Sequence, residues 1–509
     1  MLFLILEVVS SIGYFTLITF LFWLVNVCRK RVKVSPVKNQ LLLHSATELA
    51  EQIKQKQVRS YDIVQAFIDR IREVNPLLNA VVQENFEEAL KRAEDIDNLP
   101  SYSSEFYKPF LGVPFTLKDC LLVEGKICTA GSAYRRDSVA TEDAECVRRM
   151  KEAGAIVLAV TNVSELCEWW ESYNTVYGRT NNPYHTLCSA GGSSGGEASL
   201  IAAGGSVIGL GSDIGGSMRI PAYFCGIFAH KPSKLTVDER GSIPPSYGFQ
   251  NEMHSIGPMC RYVEDLKPML TVLAGPEVSR LTLHAHVDLK KLRYFYMDGI
   301  RTGYVCKLLK PVKKVLETVV DYLEKELEVC CHRVDNPKLH KAVDIFLNDL
   351  NDPASQPRNK EITDFKATIN PWSEFGRWMF GQSKHTFPLV FMMLCDSVDT
   401  APRSPELTAL RERLQTEIND LLREDGVLLF PSHPVAPSYH RLPLFQPFNF
   451  IYTAIFNSLG LPVTQCPLGV DEDGVPQGIQ VVAALNNDRL TLAVAEQLAA
   501  GFGGWKNFD

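Results

Sequence analysis

The sequence predicts an α/β fold, and three observations carry that prediction. Residues 155–160 (Ala-Ile-Val-Leu-Ala-Val) form a continuous apolar run of the kind found in strands buried on both faces. Such runs alternate with apolar residues at helical spacing, as at Ile63, Phe67, Ile71 and Val74. Residues 191–216 hold ten of the chain's 33 glycines, packed around an apolar middle (Leu200, Ile201, Val207, Ile208, Leu210) that a flexible linker would not contain.

Size and composition bound the function. A chain of 509 residues, 46% hydrophobic, can bury a large core. The formal charge of −7 and the lack of a long basic stretch interleaved with aromatics argue against a nucleic-acid partner. Thirteen scattered cysteines show no zinc-site spacing, so mostly free, buried thiols are expected. His284 and His286 lack a third clustered ligand and read as surface residues, and no metal or cofactor is expected.

Taken in order, residues 2–27 carry one charged side chain, Glu7, in a run rich in Leu, Ile, Phe and Val. About 20 apolar residues cross roughly 30 Å of hydrocarbon, so this run is expected to be a transmembrane helix. It has no basic leader and no small-residue cleavage site, which favours a retained anchor over a signal peptide. Arg29, Lys30, Arg31 and Lys33 follow it and, by the positive-inside rule, place the next domain on the cytosolic side. The expected organisation is an anchor over 1–30, a basic linker over 31–44 and a catalytic domain over 45–505.

Ser45-Ala46-Thr47-Glu48 is a capping-box pattern ahead of a helix carrying Leu49, Ala50 and Ile53. The next helical pattern runs to Asn75-Pro76, followed by a strand over 78–82 and a helix over 85–97. The strand-like run 109–119 carries Lys118. A charged lysine is costly to bury, so it either snorkels to the surface or is present for chemistry. Residues 197–203 read as a helix after the glycine-serine turn 191–196, and 207–211 as a buried strand that delivers Ser212, Asp213 and the glycines before Ser217. Residues 349–360 read as a polar loop. Trp372, Phe375, Trp378 and Met379 with the run 389–394 fit core packing and a lipid-facing or channel-lining surface equally well. Two further strands are expected at 426–431 and 460–467.

Glycines before a serine let a substrate approach the backbone and leave N–H groups to face a developing oxyanion, which points to hydrolysis. Two arrangements compete. Gly191-Gly192-Ser193-Ser194-Gly195 matches the nucleophile elbow formally, with His433 and His440 as available bases. An elbow needs an apolar strand before it, however, and residues 181–188 are polar and contain Pro183.

The alternative uses Lys118, Ser193 and Ser217, and here the sequence resembles the amidase signature family. GVPFTLKD at 112–119, GGSSGGEA at 191–198 and GSDIGGSMRIPA at 211–222 carry the resemblance, with the serines 24 residues apart. Weaker echoes are Asn75-Pro76 with Asn79-Ala80-Val81, Thr161-Asn162 with Ser164-Glu165, and Gly460-Leu461-Pro462 with Gly474, Pro476, Gly478 and Gln480. Together they span about residues 45–500.

The resemblance implies a large central mixed sheet covered by helices on both faces, and a Ser–cis-Ser–Lys triad. Ser217 is the implied nucleophile, Ser193 the proton relay and Lys118 the general base and acid. The backbone N–H groups of Ile214, Gly215, Gly216 and Ser217 are the implied oxyanion donors, with Ser194, Asp213 and Arg219 in support. A membrane span ahead of such a domain is similar to the branch of the family that hydrolyses fatty-acid amides. The implied partners are a lipid amide, a membrane met through the N-terminal helix and, as homodimer, a second copy of the chain. The implied location is an intracellular membrane, endoplasmic reticulum or lipid droplet, crossed once. Asn162-Val163-Ser164 is a formal glycosylation sequon beside the expected active-site sheet, where a glycan does not fit.

Overall fold

A computed structural model describes residues 11–100, 102–398 and 403–508. Its centre is an 11-stranded mixed sheet. The first half of the chain contributes β1 (Val81–Glu84), β2 (Pro114–Lys118), β3 (Ile156–Thr161), a separate two-stranded ribbon of β4 (Tyr173–Asn174) and β5 (Gly178–Arg179), β6 (Ile208–Asp213), β7 (Phe228–Lys231) and β8 (Ser255–Cys260). The second half adds β9 (Arg293–Tyr296), β10 (Cys331–Arg333), β11 (Gly426–Phe430), β12 (Val463–Val470) and β13 (Pro476–Ala483). The strand order is β1-β3-β2-β6-β8-β7-β12-β13-β11-β9-β10. Strands β3, β2 and β6 are parallel neighbours, as are β11, β9 and β10, while the centre between them is antiparallel.

Why β2, β3 and β6 form the middle of one wing follows from their side chains. All residues of these three strands are buried, so none has a solvent face to satisfy and each needs neighbours on both sides. The capping box at Ser45 and Glu48 forms and opens the helix Ala46–Lys54. The helix Ser60–Leu78 runs past Pro76, where a break is expected. It ends instead at Asn79, which takes a left-handed conformation (φ 50°), while the Asn75 side chain accepts from the N–H groups of Ala80 and Val81. The following strand therefore starts later than the expected residue 78, at Val81.

Residues 31–44 lie along the domain. Val34 and Val37 are buried in the main core, Val34 N–H donates to Pro183 O, and Arg31 reaches Tyr184 O and Gly474 O. Of the expected span, residues 2–10 lie outside the described residues. The rest is the helix Ser11–Asn26, and among the described residues no helix is long and apolar enough to cross a membrane. Sixteen residues span about 24 Å. One side of this helix packs on the turn Leu442–Phe445, with Phe22 and Phe445 in edge contact at 5.6 Å and Gln446 Nε2 donating to Thr19 Oγ1 at 3.1 Å. Its other side exposes Leu17, Phe20, Leu21, Trp23, Leu24 and Val25.

The aromatic segment is part core and part exposed. It forms the helices Pro371–Met379 and Phe387–Val398, of which Leu389, Val390 and Met393 are core, whereas Trp372, Met379, Phe380 and Phe391 are exposed. None of the 13 cysteines is in a disulfide, nine of them are buried, and His284 and His286 lie on the surface.

Candidate active site

Lys118 is the last residue of β2, paired in register with Thr161 at the end of β3. Its side chain is fully buried, which removes the snorkelling alternative. Nζ donates to Ser193 Oγ at 2.6 Å, to Ser212 Oγ at 2.8 Å and to Ser212 O at 3.4 Å. A buried lysine thus meets two hydroxyls and a carbonyl, an arrangement suited to passing a proton rather than to holding an ion pair.

Ser193 follows a cis peptide bond after Gly192 and is itself fully buried. The Ser172 hydroxyl donates to its carbonyl at 3.0 Å and accepts from Gly195 N–H at 2.8 Å, fixing the turn before the helix Gly195–Ala202. That helix sits so close to the end of β3 that a Cβ on Gly196 would lie 2.4 Å from Asn162 N, so only glycine fits. Ser194 joins the two glycine-rich turns: its N–H donates to Ser217 O at 3.0 Å and its hydroxyl to Ser212 O at 3.4 Å.

Ser217 lies between β6 and the helix Arg219–Cys225 and, unlike Ser193 and Lys118, is only partly buried. The loop that carries it is clamped from below. Asp213 Oδ1 accepts from Gly216 N–H at 2.7 Å, and Asp213 Oδ2 accepts from Met218 N–H at 3.2 Å. Arg219 grips the same carboxylate through Nε and Nη2 at 3.0 and 2.9 Å. Arg219 also donates to Thr453 O, Asn457 Oδ1 and Gln480 Oε1, tying the loop to the helix Ile451–Ser458 and to β13. Gly216 has φ +113°, and a Cβ there would lie 1.9 Å from Thr453 Oγ1. Any side chain at this position would push the loop off its support.

The geometry corrects the expected oxyanion set at Gly216, whose N–H is engaged by Asp213. The N–H groups of Ile214, Gly215 and Ser217 donate to no backbone or side-chain acceptor among the described residues and remain available. The elbow arrangement also fails. No strand leads directly into Ser193, His433 is buried against Trp170 and Phe224 with Nδ1 at Val435 O, and His440 bonds to Glu171, Asn181 and Thr186. Burial holds His433 down to about 4, against the hydrogen bond it donates to Val435 O, so it is neutral at physiological pH without a serine to serve.

The family-model comparison matches the Amidase family over residues 62–492. The chain belongs to the amidase signature family. It is 44% identical to fatty-acid amide hydrolase 2-A of Danio rerio over 93% of this chain and 91% of that one. It is 43% identical to fatty-acid amide hydrolase 2 of Homo sapiens over 92% and 91%. Among solved structures, a fatty acid amide hydrolase shares its fold with a TM-score of 0.75 at 22% identity, over 92% of this chain and 86% of that one.

In this amidase several site residues were not legible beforehand. Ser212 is the second hydroxyl on Lys118 and sits inside the glycine-rich motif, one residue before Asp213. Asn457 carries no motif, yet its Nδ2 donates to Asp213 Oδ1 and O, both at 3.0 Å. Gln480, one of the weak echoes, completes the Arg219 cage while its Nε2 donates to Pro431 O and Tyr452 O. Asn162 of the sequon is fully buried and its Nδ2 donates to Thr180 Oγ1 and Gly178 O, leaving no room for a glycan. Past β3, Glu165 accepts from Thr386 N–H and pairs with His385 Nδ1, both at 2.7 Å, and Glu168 pairs with Arg358. These contacts fasten the aromatic segment to the loop beside the site.

The Asp213–Arg219 pair carries a stability prediction. Burial alone would raise the Asp213 pKa, but the Arg219 guanidinium and the hydrogen bonds from Arg219 and Asn457 hold it well below the usual carboxylate range. A folded pKa below the unfolded one stabilises the fold above the unfolded value of about 3.9, and this contribution is lost as pH falls. Asp213→Ala leaves Arg219 buried without its counter-ion. Urea unfolding at pH 7 is expected to read a loss of about 3–5 kcal/mol. The wild type is expected to lose stability steeply below about pH 4.

Proposed function

We propose that the protein is a serine amidohydrolase that cleaves fatty-acid amides to fatty acid and amine. The observation that carries the reading is the buried contact of Lys118 Nζ with Ser193 Oγ at 2.6 Å, on a turn hydrogen-bonded to the loop of the accessible Ser217. Ser217 Oγ attacks the amide carbonyl, and its proton passes to Ser193 as the Ser193 proton passes to Lys118 Nζ, acting as the base. The N–H groups of Ile214, Gly215 and Ser217 receive the oxyanion. The relay then runs in reverse: Lys118 returns a proton through Ser193 to the departing amine, leaving an acyl ester on Ser217. Water hydrolyses that ester by the same route.

The choice of a lipid amide is supported by the relatives that carry the fatty-acid amide hydrolase name and by two apolar surfaces. One is the outer side of the helix Ser11–Asn26; the other is Trp372, Met379 and Phe380. Our reading is that the N-terminal segment anchors the enzyme in an intracellular membrane and that these surfaces meet lipid, so that substrate is collected from the bilayer. The basic residues Arg29, Lys30 and Lys33 then face headgroups on the cytosolic side.

The test is kcat/KM over a homologous series of primary acyl amides in mild detergent. Each methylene buried along an acyl channel gains about 0.8 kcal/mol, so each is expected to raise kcat/KM by up to about fourfold until the channel is full. A flat dependence, or a preference for acetamide over oleamide, contradicts the lipid-amide reading.

A further inference from the structure

Lys118, Ser193 and Ser212 sit on three different elements, and one buried carboxyl joins those elements from behind. Glu197 is the third residue of the helix Gly195–Ala202, which begins two residues after Ser193, and its side chain is fully buried. Thr116 Oγ1 of β2 donates to Glu197 Oε1, and Thr161 Oγ1 of β3 meets Oε2 at 2.7 Å. A Cβ on Gly209 of β6 would lie 1.7 Å from Oε1, so the carboxyl rests directly on that strand and only glycine leaves it room.

The register places these contacts beside the catalytic groups. Thr116 is paired with Gly209, and Thr161 with Lys118. Thr116 precedes Lys118 by two residues, so both side chains point to the same face of β2. Further along β6 lies Ser212, whose hydroxyl accepts from Lys118 at 2.8 Å.

No cation balances this carboxyl. Among the described residues it forms no ion pair, and its side-chain partners are the two threonine hydroxyls. An ionised carboxyl is costly to bury in that setting. The protons lead to the same conclusion. Thr161 Oγ1 has one hydrogen and stands 2.7 Å from Oε2 and 3.1 Å from Leu117 O, so beside an ionised carboxyl it can serve only one of two acceptors. With a proton on Oε2 the conflict disappears: Oε2–H donates to Thr161 Oγ1, Thr161 donates to Leu117 O, and Thr116 donates to Oε1. Leu117 is the residue before Lys118, so the chain of hydrogen bonds ends on the backbone that sets the lysine. The first turn of a helix favours an anion, yet burial pushes this carboxyl up to about 8 against both threonine hydrogen bonds.

We infer that Glu197 is a positioning residue of the hydrolytic reaction: a protonated carboxyl that ties β2, β3 and β6 to the helix behind Ser193 and so fixes the contact of Lys118 with Ser193. It meets neither substrate nor the reacting atoms and acts through the two side chains it aligns. A neutral carboxyl does this without adding a buried charge to the site.

This inference rests on Lys118, Ser193 and Ser217 being the catalytic groups, so protonation and alignment are read separately. The first arm is the infrared difference spectrum of the full chain at pH 7, wild type minus Glu197→Gln. The expected result is the carbonyl-stretch band of a protonated carboxyl, shifted in D2O; carboxylate bands in its place overturn the inference. The second arm is kcat and KM for oleamide together with the rate of fluorophosphonate labelling of Ser217. Glu197→Gln keeps an acceptor for Thr116 and a donor for Thr161 and is expected to stay within about threefold of the wild type. Glu197→Met keeps the length without either, and is expected to lower kcat and the labelling rate by about 10–100-fold with KM unchanged. Thr161→Val cuts the same link from the other side, is expected to lower kcat in the same sense, and decides this arm if Glu197→Met does not fold. A wild-type kcat in folded Glu197→Met or in Thr161→Val, or a loss in Glu197→Gln equal to that in Glu197→Met, overturns the inference. Failure of the wild type to hydrolyse any acyl amide counts against the proposed function instead, and the infrared band and the labelling rates still decide the role of Glu197.

Discussion

Ser217→Ala is expected to lower kcat/KM by about 10⁴–10⁶-fold, to the level that binding and the remaining backbone donors sustain. Ser217 is the partly accessible serine of the site, on a loop that Asp213 and Arg219 hold rigid, so removing its hydroxyl removes the atom that forms the acyl ester. Ser193→Ala is expected to fall short of that loss, because the nucleophile and its oxyanion donors remain and only the relay is gone. Steady-state hydrolysis of oleamide by both variants, with circular dichroism to establish folding, measures the difference. Equal losses would place the two serines in one inseparable step, and a larger loss for Ser193→Ala would reverse their roles.

Lys118→Ala is expected to lower acylation at neutral pH by about 10²–10⁴-fold, the usual worth of a positioned general base. Among the described residues the fully buried amine has only Ser193 and Ser212 as hydroxyl partners, so no other group in the site inherits its function. Activity should recover in part as pH rises and hydroxide replaces the missing base. The pH–rate profile of the variant measures this, and a profile parallel to that of the wild type would put Lys118 outside the mechanism. Because the substitution also opens a cavity beneath β2, Lys118→Met provides a variant of similar length whose loss can be assigned to the missing nitrogen.

Much of the site was legible because its chemistry is concentrated in short local patterns. The strands β2, β3 and β6 announce themselves as apolar runs, and the turns at 191–196 and 211–217 are marked by glycines that close backbone approach requires. What joins them was not legible. Asn457 and Thr453 reach Arg219 from a helix more than 200 residues away, and Lys118 and Ser193, 75 residues apart, meet only in the fold. Hydrophobic periodicity specifies an element and its buried face but carries no address for the partner. Helix ends were misplaced where a side chain substitutes for backbone pairing, as with Asn75 beyond Pro76. The basic residues after the N-terminal helix show the opposite limit: composition suggested a linker, whereas Arg31, Val34 and Val37 find partners on the domain surface and in its core.

The central claim is that Ser217, with Ser193 and Lys118 behind it, forms the covalent intermediate. Labelling the full chain with a fluorophosphonate and mapping the modified peptide tests it most directly. The predicted result is a single adduct on Ser217, absent from Ser217→Ala and slowed in Ser193→Ala and Lys118→Ala. An adduct on Ser193 or Ser194 would contradict the account.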